Sequence, residues 1–172
     1  MEKRALLLAF GLVFVGIMSR LLPHAPNVTP LIAVALFSGA YLPRRLAIAV
    51  PVIVMIVSDL LIGYDPQVLF NWVAVGLAAC VGLCLRERRS ATRIVAASLS
   101  ASTLFFLVSN FGVWIEVRLY PVTLEGLRTC YVAGIPFYRH MLAGDVMYTA
   151  ICFGIFAWVS QWQRRPALTF SR

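Results

Sequence analysis

Residues 94–115 run for 22 positions without one charged side chain. A helix needs about 20 consecutive, mostly apolar residues to cross a bilayer, within a range of about 17–25. Runs of similar character occupy residues 5–22, 46–62, 69–85 and 145–163, and a shorter one covers 28–42. The whole chain follows the same trend: 61% of its 172 residues are apolar and 13% are charged. Ordinary soluble domains run at about 45–50% apolar and about 25% charged. A soluble chain of this length needs a polar shell that this sequence cannot supply. The expected fold is therefore all-α, an integral membrane bundle of six transmembrane helices built as a single domain over residues 1–172. The 28–42 run is the weakest of the six.

The charges fit that count. With the amino terminus in the cytoplasm, six spans leave 11 of the 15 Lys/Arg residues on the cytoplasmic side and four outside. The cytoplasmic set includes Arg44, Arg45, Arg86, Arg88, Arg89 and Arg93; the outer set is Arg20, Arg118, Arg128 and Arg139. This is the positive-inside pattern. It places both termini in the cytoplasm and makes the lipid bilayer the first partner. Omitting the short second run would strand Arg44 and Arg45 on the wrong side. The net charge of +8 reads as a topology signal, and no nucleic-acid partner is expected. The first run lacks a good small-x-small cleavage site, so it is expected to stay as a span and not be removed as a signal peptide.

The cysteines, Cys80, Cys84, Cys130 and Cys152, have neither C-x-x-C spacing nor a disulfide framework. They are expected to pack as small hydrophobes. No metal and no cofactor is expected. Nucleophile-elbow, zinc-protease and nucleotide-loop motifs are absent from the sequence. The chain alone therefore has no means of driving a pump with ATP.

Polar groups collect toward the outer end of the bundle. Asp at a helix centre costs about 2.5–3.5 kcal/mol on insertion scales, so such residues usually face a cavity or a partner. The candidate small-molecule site residues are His24 and Asn27 in the first outer loop, Asp59, Asn110, Trp114, Tyr131 and Asp145. Each has a plainer alternative. Asp59 could cap a helix end or pair with Arg20 or Arg139. Asn110 could hydrogen-bond between helices, Trp114 could sit in an interfacial belt, and Asp145 could cap the last helix. His24 and His140 could be solvated loop residues. Residues 123–131 read as a short outer helix, ended by Gly134-Ile135-Pro136. Small residues at a spacing of four, Ala5 with Ala9 and Ala35 with Gly39, let helices approach closely. They suit internal packing or the docking of a membrane subunit.

Three stretches carry a family resemblance. They are Leu22-Pro23-His24-Ala25-Pro26-Asn27-Val28-Thr29-Pro30, residues 103–114 ending in Ser109-Asn110-Phe111-Gly112-Val113-Trp114, and Cys130-Tyr131-Val132-Ala133-Gly134-Ile135-Pro136-Phe137 with Gly144-Asp145. The chain resembles a bacterial family of small polytopic membrane proteins of unknown function. That family in turn resembles the S components of energy-coupling factor transporters, which are six-helix vitamin-binding subunits. The resemblance implies a substrate site at the outer loops and helix ends. It also implies a transmembrane coupling subunit with ATPases, docked through an Ala-x-x-x-Ala surface that Ala5 and Ala9 match in spacing. The loop at 63–71 lacks the cysteine used by a cobalamin-binding S component, so a corrinoid substrate is not implied.

The expected function is capture of a vitamin or other small metabolite for uptake, without catalysis. The alternatives are a membrane-embedded enzyme acting on an amphiphilic substrate through Asp59, Asp145 or His140, and a non-catalytic assembly or accessory protein.

Overall fold

The computed structural model describes residues 2–23 and 27–163. Among them the chain forms six α-helices and no strand. These are α1 (Glu2–Leu21), α2 (Leu31–Tyr41), α3 (Arg44–Ile62), α4 (Val68–Leu83), α5 (Ala91–Gly112) and α6 (Leu124–Gln163). A π-helical turn, Val113–Val117, prolongs α5. Three of the helices, α3, α5 with its π-turn, and α6, are long and apolar enough to cross a membrane; the apolar parts of α1, α2 and α4 are shorter. Large apolar side chains cover the outside of the bundle. Leu7, Phe10, Phe14, Leu69, Trp158 and Trp162 are all well exposed. Contiguous apolar surface of this kind suits hydrocarbon and not water, which fits a membrane protein.

The short run at 28–42 becomes the centre of the fold. Every residue of α2 from Leu31 to Ala40 is buried, and α2 packs on each of the other five helices. With 11 residues it is about 16 Å long. It is apolar all round, as a helix enclosed by others must be. Its partner α4 comes close enough for the two backbones to touch. A Cβ on Gly82 would lie 2.5 Å from the Leu36 carbonyl oxygen, and one on Gly39 would run into the Ala79 carbonyl and the Gly82 backbone. The Ala35/Gly39 pair thus serves internal packing.

A buried helix must still satisfy its terminal carbonyls. The α4–α5 loop does this for α2. Arg86 donates through Nε to the Gly39 carbonyl at 2.9 Å and through Nη2 to the Leu42 carbonyl. Arg89 donates to the Ala40 carbonyl at 2.9 Å and lies over the Tyr41 ring. Two of the basic residues read as topology markers are therefore also the cap of the central helix. Their bonds put the α2–α3 and α4–α5 loops at one end of the bundle.

A second backbone gap is closed from α2. Pro51 lies inside α3 and has no N–H, so the Ala47 carbonyl loses its helical donor. The hydroxyl of buried Ser38 lies 2.7 Å from that carbonyl and takes the place of the missing donor.

The last helix departs from the sequence reading. Gly134-Ile135-Pro136 does not end a short helix. α6 runs unbroken for 40 residues with Pro136 inside it, about 60 Å at the usual rise. Gly134 is needed at this point of α6 because the helix presses on α5: a Cβ there would meet Asn110 Oδ1 at 2.6 Å. Packing against α5 supports this stretch of α6, and local breaker chemistry does not decide it. Asp145, expected at the start of the last span, consequently lies in mid-helix and caps nothing.

Candidate functional site

At the end of the bundle opposite the arginine loops, Arg20 near the end of α1 reaches the last turns of α3. Its Nη1 lies 2.7 Å from Asp59 Oδ1 and also donates to the Ser58 hydroxyl. Trp72 on α4 donates its indole N–H to the other oxygen of Asp59 at 2.7 Å. Asp59 is buried, and both of its oxygens are engaged. This cluster ties α1, α3 and α4 together, and it is the pairing that the sequence offered as the plainer alternative for Asp59.

Beside the cluster lies a cavity of about 560 Å³, within the usual size of a small-molecule site. The segment ahead of α2 contributes Asn27 and Thr29, and the start of α2 contributes Leu31 and Ile32. The α3–α4 connection and the first turn of α4 bring Asp65, Gln67 and Asn71. Ser109 and Asn110 come from α5, and Phe137, Met141 and Asp145 from α6. Arg20 is the Lys/Arg side chain that reaches the wall. Asn27, Ile62 and Asp65 are exposed at the rim, whereas Asp145 is 2% exposed. Asn27 holds a left-handed backbone, φ 61°, a conformation Asn tolerates better than most residues. The Gln67 Oε1 atom is buried without a hydrogen-bond partner among the described residues.

Asp145 continues into a polar ladder between α5 and α6. The Ser102 hydroxyl lies 2.6 Å from Asp145 Oδ2 and 2.9 Å from the Ser98 carbonyl. Ser98 Oγ and Thr149 Oγ1 are 3.3 Å apart. All four side chains are buried. A serine hydroxyl has a single proton and two acceptor positions. When Asp145 is ionised, Ser102 donates to it. When Asp145 carries a proton, it donates to Ser102, which then donates to the Ser98 carbonyl. The ladder therefore holds either charge state without leaving a donor unpaired.

Of the residues singled out from sequence, the structure brings Asn27, Asn110 and Asp145 to the cavity. Asp59 stands behind it, locked to Arg20 and Trp72. Trp114 lies outside, in the π-turn after α5, with its indole N–H donated to the Pro121 carbonyl at 2.9 Å. It fastens the α5–α6 loop. Tyr131 also lies outside, its hydroxyl donated to the Leu107 carbonyl at 2.7 Å, beside a separate apolar groove between α4 and α5. His24 lies outside the described residues. Ala9 is buried against Val34, Leu42 and Val50, so its face is already covered from within the chain. The docking surface expected at Ala5 and Ala9 is occupied at Ala9 by α2 and α3.

The sequence reading passes over Ser98, Ser102 and Thr149, yet a signal exists. Ser98 and Ser102 on α5, and Asp145 and Thr149 on α6, are each four apart. Each pair therefore shares one helix face, and two such polar pairs on neighbouring apolar helices are what a buried ladder needs. Among the described residues, no three His, Cys, Asp or Glu side chains gather in a way that could hold a metal ion.

No curated protein and no solved structure matches the chain. One family model does: that of the family of unknown function DUF6580, matched over residues 1–168. The chain belongs to this family.

Proposed function

We propose that this protein is the substrate-capture subunit of a membrane uptake system, similar in plan to the S components of energy-coupling factor transporters. A small polar metabolite or vitamin binds in the cavity at the ends of α1, α3 and α5. The bundle then moves against a coupling subunit that supplies the energy through ATPases. The proposed setting is a bacterial inner membrane, with all six helices in the membrane region and both chain ends cytoplasmic.

The observation that carries this reading is the cavity itself. Polar side chains from five separate segments converge on one space of about 560 Å³ in a protein whose helices carry large exposed apolar side chains along the outside of the bundle. Such a space, with a few convergent polar groups, is the usual form of a small-molecule site. The basic loops at the opposite end support the orientation, since Arg44, Arg45, Arg86, Arg88, Arg89 and Arg93 cluster there and positive loops remain in the cytoplasm. With Ala9 covered, a coupling subunit would have to engage a different face of α1.

The test is thermal stabilisation of the purified protein across a panel of vitamins and small metabolites. Saturable stabilisation by a compound, lost on substitution of Asn110 or Asn71, is the expected result. No stabilisation by any compound would count against the reading. Accessibility labelling of a cysteine placed at Arg88 checks the orientation, and labelling from the outer side would reverse it.

A further inference from the structure

We propose that the ligand of this cavity is a small organic cation, a protonated amine or a quaternary ammonium compound, with Asp145 as its counter-ion. This rests on the small-molecule reading above and narrows it to a chemical class.

The argument begins with charge. Among the described residues, the cavity wall carries one cation, Arg20, and two carboxyls, Asp65 and Asp145. Arg20 is already neutralised by Asp59 at 2.7 Å. The two wall carboxyls form no ion pair among the described residues. The described part of the wall is therefore acidic.

Burial then separates the two acids. Asp65 is exposed at the rim, where water solvates it. Asp145 is 2% exposed, and a carboxylate removed from water must be paired or must take up a proton. Its Oδ2 lies 2.6 Å from the Ser102 hydroxyl, a separation that suits a hydrogen bond in either charge state. Among the described residues, Oδ1 has no hydrogen-bond partner, and Asp145 lines the cavity wall. Oδ1 is the atom we assign to meet whatever fills the cavity.

The ladder supplies the empty-state alternative. With no ligand, Asp145 can hold a proton and donate to Ser102, which donates to the Ser98 carbonyl at 2.9 Å. When a cation enters, that proton leaves to solvent and the Ser102 hydroxyl turns back to the carboxylate. Charge balances in both states: one positive charge, proton or ligand, faces one carboxylate. A neutral or anionic ligand would leave this arrangement without a use. The aromatic and apolar part of the wall, Phe105, Phe137 and Met141, suits the carbon body of an organic cation better than a bare metal ion.

The experiment uses the full chain in lipid nanodiscs and three probe sets: thiamine and choline as cations, riboflavin and nicotinamide as neutral compounds, biotin and pantothenate as anions. Thermal shift and calorimetric titration are read for each. The expected result is binding by at least one cation. Asp145→Asn should weaken it about 30-fold or more, the usual effect of removing one member of a buried charge pair, while Asp145→Glu retains more of it. Binding by neutral or anionic probes alone overturns the cation inference and leaves the small-molecule reading standing. Binding by none of the probes counts against that reading and removes the inference with it. Should Asp145→Asn fail to fold, dicyclohexylcarbodiimide labelling of wild-type Asp145, read by mass spectrometry, replaces it. Protection by a bound cation supports the proposal, and undiminished labelling under saturating cation overturns it.

Discussion

Arg20 on α1 and Asp59 on α3 meet at 2.7 Å near the cavity end of the bundle, and the second oxygen of Asp59 is held by the Trp72 indole on α4. One ion pair and one indole hydrogen bond thus join three helices. Removing Arg20 leaves the buried Asp59 carboxylate unpaired, which costs about 3–5 kcal/mol. Arg20→Leu is expected to lower stability by that order, and Asp59→Leu, which leaves the part-exposed Arg20, by less, measured by denaturation in detergent micelles. The double replacement Arg20→Leu with Asp59→Leu should cost less than the sum of the two single changes. Additive losses would show that the pair does not hold the helices together.

The contact between Gly39 and Gly82 gives a second prediction. Gly82→Ala would drive a methyl group to 2.5 Å from the Leu36 carbonyl oxygen, a backbone atom that cannot turn aside. Overpacking of this kind costs about 1–3 kcal/mol and occasionally more, and the upper part of that range is expected for Gly39→Ala as well. Gly154, by contrast, has open space around its missing side chain. Gly154→Ala should be neutral or stabilising by up to about 1 kcal/mol through helix propensity. Comparing the melting temperatures of the three variants checks the close approach of α2 and α4.

Arg86 separates two roles that a sequence cannot tell apart. Arg86→Lys keeps the positive charge that the proposed membrane orientation uses but loses the planar fork that reaches Gly39 and Leu42 together. Arg86→Ala loses both. Hydrogen bonds to charged groups contribute about 1.5–3 kcal/mol, so both variants should melt lower than wild type while the lysine variant keeps its orientation. Arg88 is exposed, and Arg88→Ala should leave the melting temperature unchanged.

Trp114 distinguishes a site residue from a loop fastener. Its indole nitrogen donates to Pro121 and not into the cavity. Trp114→Phe is expected to leave ligand affinity unaltered and to increase protease cutting in residues 118–123. Asn110→Ala, which changes the cavity wall, should weaken ligand binding about tenfold, the effect of losing one hydrogen bond of about 1.4 kcal/mol. If the Trp114 change alone abolished binding, the site would lie at the α5–α6 loop.

Much of the helix order was legible because each apolar run is long and the charges between runs are short and mostly basic. The placement of Asn110 and Asp145 on the cavity wall was legible too, since polar groups in apolar surroundings must face something. The position of α2 was not. Its sequence shows only that it is apolar and short, and enclosure by five other helices is a tertiary property. Continuation through Pro136 was equally hidden, because support comes from the packing of Gly134 against Asn110 and not from local propensity. Trp114 and Tyr131 misled for a related reason. Each has a polar tip, and the nearest acceptor for each is a backbone carbonyl, which residue type alone cannot reveal.

The enclosure of α2 also constrains how the protein is made. Its seat is built from α3, α4, α5 and α6, all of which follow it in synthesis. A helix of 11 residues has little to gain from lipid on its own, since about 20 are needed to cross the hydrocarbon. The ribosome must therefore deliver most of the chain before this segment finds its place. Truncated products ending after α3 should be recovered with α2 outside the hydrocarbon and open to quality-control proteases.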